Sequence, residues 1–103
     1  MKRKVEYVVV LAEGVRKRHM HETDRGAVVR FAVQLEVAAG VAWRPVVRYD
    51  CAHGFSHRDL YEQDGTVTKE GLDLNLEAAL TYGDWDINEN WARYVERHVG
   101  GRT

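Results

Sequence analysis

Two histidines, two arginines and two aspartates fall within the twelve residues Arg48 to Asp59, in the order Arg48-Tyr49-Asp50-Cys51-Ala52-His53-Gly54-Phe55-Ser56-His57-Arg58-Asp59. Imidazole titrates near neutral pH and can give or take a proton. Arginine holds a phosphate or carboxylate through two parallel hydrogen bonds. The segment reads as strand, tight turn and strand, with Gly54 permitting the reversal. In that arrangement His53 and His57 flank the turn as candidate proton-transfer groups, Arg48 and Arg58 as candidate anion ligands, and Asp50 and Asp59 as supporting acids. Arg30, on the neighbouring strand, is a third candidate for phosphate. These are the parts of a metal-independent ribonuclease. The same residues also fit a plain polar hairpin in which Asp50 and Asp59 pair with Arg48 and Arg58, and the composition does not choose between the two.

Other ligand types are scattered. His19-Met20-His21 places two imidazoles on one side of an extended segment, and Cys51 with His53 does so in a later strand, types that zinc or nickel accept. The spacing matches no finger pattern, so neither a metal nor an organic cofactor is expected. His98, near the end of the chain's helical region, reads as a cation placed at a helix C-terminus.

The elements that carry these residues follow from periodicity. Val29, Phe31, Val33, Leu35 and Val37 alternate with Val28, Arg30, Ala32, Gln34 and Glu36, the period-two pattern of a strand with one buried face. Val5, Tyr7, Val9 and Leu11 make a second, less clean strand. After Ala38-Ala39-Gly40, alternation resumes from Trp43 to Cys51, with Trp43, Val47, Tyr49 and Cys51 on one side and Arg44, Val46, Arg48 and Asp50 on the other. His57 to Glu62 forms a further strand, Gln63-Asp64-Gly65 is a hairpin signal, and Thr66 to Glu70 returns. From Asn75, a helix N-cap, the spacing of Leu76, Leu80, Ile87, Trp91, Tyr94, Val95 and Val99 becomes helical. Gly83 interrupts that stripe at a price of about 1 kcal/mol relative to alanine. The predicted fold is α+β, a four- to five-stranded antiparallel meander covered on one face by one long C-terminal helix.

The chain of 103 residues fits a single domain over 1–103. Its net charge of −1 conceals an asymmetry, with eight Lys or Arg against four acids up to Arg30 and seven against twelve beyond it. The basic part can track phosphates or form a solvated loop and strand edge. A single cysteine excludes an internal disulfide and suits a reducing cytoplasm. The apolar run Val8 to Ala12 is too short for a signal sequence, and no membrane association is expected. One helix covers only one face of such a sheet, so the apolar Val8, Val10 and Val46 on the other predict a homodimer.

Val47-Arg48-Tyr49-Asp50, Ala52-His53, His57-Arg58-Asp59 and Asn90-Trp91-Ala92-Arg93-Tyr94 together resemble small prokaryotic proteins related to the TumE family of toxin-antitoxin components, over roughly Phe31 to His98. The resemblance implies a cytoplasmic toxin-like protein that acts on RNA and is held by a helix-turn-helix antitoxin. Asp59 departs from the pattern, since a basic residue or histidine follows His57-Arg58 in the toxin members. The other class of function open to this chain is a non-catalytic oligomer or adaptor that binds a partner through the open sheet face.

Overall fold

The computed structural model describes residues 1–52 and 54–100. It contains β1 (Lys2–Ala12), β2 (Val15–Asp24), β3 (Ala27–Ala39), β4 (Ala42–Ala52), β5 (Phe55–Tyr61), β6 (Val67–Leu72) and α1 (Leu76–Gly100). All six strands pair with their sequence neighbours in one antiparallel sheet, a meander of order β1-β2-β3-β4-β5-β6. No helix is long and apolar enough to cross a membrane among the described residues.

The α+β meander and its single long helix agree with expectation, but the sheet has six strands where four or five were expected. The additional one is β2, whose sequence VRKRHMHETD looks like a basic loop. Its core-side positions are Val15, Lys17 and His19, all buried, so a strand with a mostly polar inner face carries little hydrophobic alternation. Lys17 is tolerated there because its Nζ donates to Asp84 Oδ1 and Asn88 Oδ1, both at 2.7 Å. The burial of a charge is thereby compensated by partners on the helix.

The helix lies against β3, β4 and β5. Phe31, Val33, Leu35, Val47, Tyr49, Ala79 and Ile87 are sealed between the layers. Asn75 caps the helix, its Oδ1 accepting from the Ala78 amide at 2.8 Å. Trp91 is only half-buried at the rim, and the central anchor is Ile87, with no exposed surface.

Three bulges alter which residues face the core. One at Glu22/Thr23 opposite β3 turns Val29 outward, 43% exposed, while Val28 packs inward. One between Leu35 and Glu36 opposite β4 buries Val46 to 1%, contrary to its expected place on the uncovered side. Beyond that bulge Trp43 pairs with Ala38 and receives the Arg16 guanidinium over its ring at 4.0 Å, so it is no core residue. A bulge shifts side-chain parity by one position, which alternation in the sequence cannot register. The third lies in β1, between Val10 and Ala12.

Candidate functional site

Register decides which of the candidate residues meet. The β4–β5 hairpin closes on the pair Ala52–Phe55, with Gly54 at φ 84° in the turn. Arg48 therefore pairs with Asp59, Tyr49 with Arg58, and Asp50 with His57. Since successive residues of a strand point to opposite faces, His57 and Arg58 cannot serve one site. His57 joins Arg48, Asp50 and Asp59 on the open face, while Arg58 lies under the helix. The expected pocket uniting Arg48 and Arg58 around a shared anion is not formed. His53 falls outside the described residues.

On the open face the charges form a ladder across β4, β5 and β6. Arg48 Nε donates to Asp50 Oδ2 at 2.5 Å and its Nη1 to Gln34 Oε1 at 3.1 Å. His57 stands between the acids, Nε2 at 2.9 Å from Asp50 Oδ1 and Nδ1 at 3.3 Å from Asp59 Oδ1. Lys69 Nζ closes the row at 3.1 Å from Asp59 Oδ2. Both ring nitrogens of His57 lie near carboxylate oxygens, and the ring borders a shallow cavity of about 570 Å³ lined also by Asp50, Phe55, Asp59 and Lys69. Asp50, His57 and Asp59 have donor atoms within 4.8 Å of one another and could hold a cation. The outer oxygens of the two carboxylates already meet Arg48 and Lys69, so a divalent ion would enter beside two positive charges.

Adjoining this ladder, a groove of about 460 Å³ crosses β1 to β4 on the same face. Lys4, Arg18, Arg30 and Arg48 line it together with Gln34, and the one acid in its lining is Glu6. Their side chains remain accessible, with Arg18 57% and Arg30 54% exposed. Arg30 pairs through Nε with Glu22 at 2.7 Å, and Arg18 approaches Glu36 at 3.7 Å. Lys4 and Arg18 did not stand out in the sequence because the groove assembles four strands, and it depends on β2 being one of them. The signal that could have found them is the concentration of basic residues before Arg30.

Under the helix lies a second polar group. Tyr49 and Tyr94 both donate their hydroxyls to Asp86 Oδ2, Tyr49 at 2.6 Å. Asn90 Nδ2 donates to Asp86 Oδ1 at 2.7 Å. Arg58 donates to the Tyr94 hydroxyl at 3.1 Å and pairs with Glu70 at 2.8 Å. Burial, reinforced by the hydrogen bonds to Asp86, pushes the Tyr49 phenol far above its ordinary value. Burial likewise raises Tyr94. These groups stay protonated and fasten the helix to the sheet, and the Arg58 guanidinium is engaged there by Tyr94 and Glu70, away from Arg48.

The other described histidines are His19, His21 and His98. His19 and His21 do share one side of β2, with Nε2 of the former 2.7 Å from Nδ1 of the latter. His19 stacks on Tyr7 with ring centroids 4.5 Å apart, and burial lowers its pKa, Asp84 opposing the shift. Cys51 packs at the core margin and directs its Sγ to the Phe31 carbonyl at 3.9 Å. His98 stands in the last turn of the helix as expected, but buried, with its Nδ1–H donated to the Tyr61 carbonyl at 2.9 Å.

Over residues 1–103 the chain matches a family described as a domain of unknown function, DUF7718. No curated protein and no solved structure matches it.

Proposed function

The chain belongs to the DUF7718 family, a domain of unknown function, and from the geometry of its open face we propose that it binds the phosphate backbone of RNA. The observation that carries this reading is the groove that gathers Lys4, Arg18, Arg30 and Arg48 on one face, although each also has a carboxylate neighbour in Glu6, Glu36, Glu22 and Asp50 respectively. Four cations on one sheet face, three of them well exposed and Arg48 partly so, provide sequence-independent attraction for a polyanion that competes with their carboxylate partners. Met20, Ala32 and Val8 lie among them in the groove wall, an apolar surface for sugar or base. Arg30 and Arg48 act as phosphate ligands, and Gln34 orients Arg48 by accepting from its Nη1.

Strand cleavage is a weaker reading than binding, since both nitrogens of His57 are opposed by the Asp50 and Asp59 carboxylates and the Arg58 guanidinium is engaged on the opposite face, beneath the helix. The toxin-like role, with a helix-turn-helix partner, rests on the resemblance of the β4–β5 and helix motifs alone. The test is fluorescence anisotropy of labelled single-stranded RNA titrated with protein at several salt concentrations, with gel analysis of RNA integrity. Each single-strand phosphate contact contributes about −0.7 to the slope of log affinity against log salt. Three or four contacts therefore predict a slope of about −2 to −3, and Arg30→Gln or Arg48→Gln should each reduce its magnitude by about 0.7. Failure to bind at low salt, or a slope unchanged in both variants, would overturn the proposal.

A further inference from the structure

The two edges of the sheet are unlike. β6 is short, six residues, and carries Lys69, Glu70 and Gly71 at its centre, features that discourage pairing with another strand, whereas the charges of β1 gather in its first half, at Lys2, Arg3, Lys4 and Glu6. β1 runs eleven residues, KRKVEYVVVLA, without proline or glycine. Among the described residues its outer backbone edge has no neighbouring strand, and the helix packs mainly over β3, β4 and β5. Val5, Tyr7, Val8, Val9 and Val10 are all exposed, Val10 to 76%, and they occupy both faces of the strand. A long apolar edge of this kind is a template for strand addition.

We infer that β1 is the interface with a second copy of this chain, the two β1 strands pairing antiparallel about a two-fold axis at Val8. The strand's own sequence selects that occupant and that register. A two-fold axis perpendicular to the sheet places a residue opposite itself. Centring on Val8 sets Val8 against Val8, Tyr7 against Val9 and Glu6 against Val10. Val8 against Val8 on one face and Tyr7 against Val9 and Val5 against Leu11 on the other are apolar pairs. Glu6 against Val10 and Lys4 against Ala12 are mixed, and Arg3 of each strand lies opposite Glu13 of the other copy. Only the Val8 centre sets Arg3 against Glu13 at both ends; centring on Tyr7 leaves Arg3 against Leu11, and centring on Val9 leaves Glu13 against Val5. The product is one continuous sheet with no exposed apolar edge. Since Lys4, Glu6 and Val8 line the groove of each copy, pairing also runs the two grooves into one; this consequence rests on the RNA reading, whereas the interface does not.

Sedimentation without RNA tests the interface separately from the proposed function. The natural chain should dimerise in a concentration-dependent way. Val10→Glu places a carboxylate beside Arg16 of its own chain, which it tolerates, and against Glu6 of the other copy, twice per dimer. It should weaken association about tenfold, and adding Glu6→Lys should restore it. Val8→Cys should cross-link copies under mild oxidation and Val10→Cys should not, with the natural chain as control for Cys51. A monomer at the highest soluble concentration, a dimer indifferent to Val10→Glu, or cross-linking through Val10→Cys in preference to Val8→Cys would overturn the inference.

Discussion

Replacing Gly83 with alanine should destabilise this protein although alanine is the better helix former. In an exposed helix interior the change would gain about 1 kcal/mol. Here a Cβ at position 83 would lie 2.6 Å from Tyr49 Cγ, 2.8 Å from its Cβ and 3.0 Å from Cδ1. Those separations are well inside carbon–carbon contact distance, about 3.5–4.0 Å. Tyr49 cannot yield freely, because it is completely buried and its hydroxyl is bound to Asp86. Overpacking of this kind costs about 1–3 kcal/mol. If the helix lifts to relieve it, the Tyr49–Asp86 bond, a hydrogen bond to a charged group worth about 1.5–3 kcal/mol, is put at risk as well. Set against the propensity gain, the net loss should be about 1–3 kcal/mol. Urea unfolding followed by far-UV circular dichroism would register it as a lower midpoint with an unchanged slope. In a Tyr49→Ala background the penalty should shrink, because two of the three close atoms are gone. A Gly83→Ala variant as stable as the parent, or more stable, would refute the packing of helix on Tyr49.

Ile87→Ala should cost about 2–5 kcal/mol, and Trp91→Ala, at a half-buried rim, only about 1–3 kcal/mol; thermal melts of the two variants check the order, and a larger loss at Trp91 would contradict it. His19 supplies a pH dependence. Its folded pKa lies below the ordinary value, so the unfolded chain binds its proton first, and stability present above about pH 6.5 is lost as pH falls through the folded value. Urea midpoints measured between neutral and mildly acidic pH should therefore fall less steeply for His19→Gln than for the parent.

The legibility of the fold in the sequence varied with how each strand buries its inner face. β3 was plain because Phe31, Val33 and Leu35 are apolar and sealed against the helix. β2 was hidden because Lys17 and His19 occupy equivalent positions, neutralised by Asp84, Asn88 and Tyr7 from elements remote in the chain. Gly83 read as an interruption of a helical stripe, and it is instead the point of closest approach between layers. That the hairpin turn lies at Gly54 was legible, and the opposition of His57 and Arg58 follows from strand periodicity alone.

What the sequence by itself determined is local: the periods that distinguish strand from helix, the Asn75 cap, the turns at Gly54 and Gly65, and a chain whose basic residues gather before Arg30. These depend on neighbours within a few positions, where backbone sterics and capping act directly. Which side chains share a face was decided only in the tertiary structure, since three bulges shifted parity at Val29, Val46 and the end of β1. So was the division of the arginines, with Arg30 and Arg48 in an accessible groove and Arg58 bound to Tyr94 and Glu70. A guanidinium has the same chemistry in either place; the pairing register sets whether it faces solvent or a helix, and register is a property of two strands together.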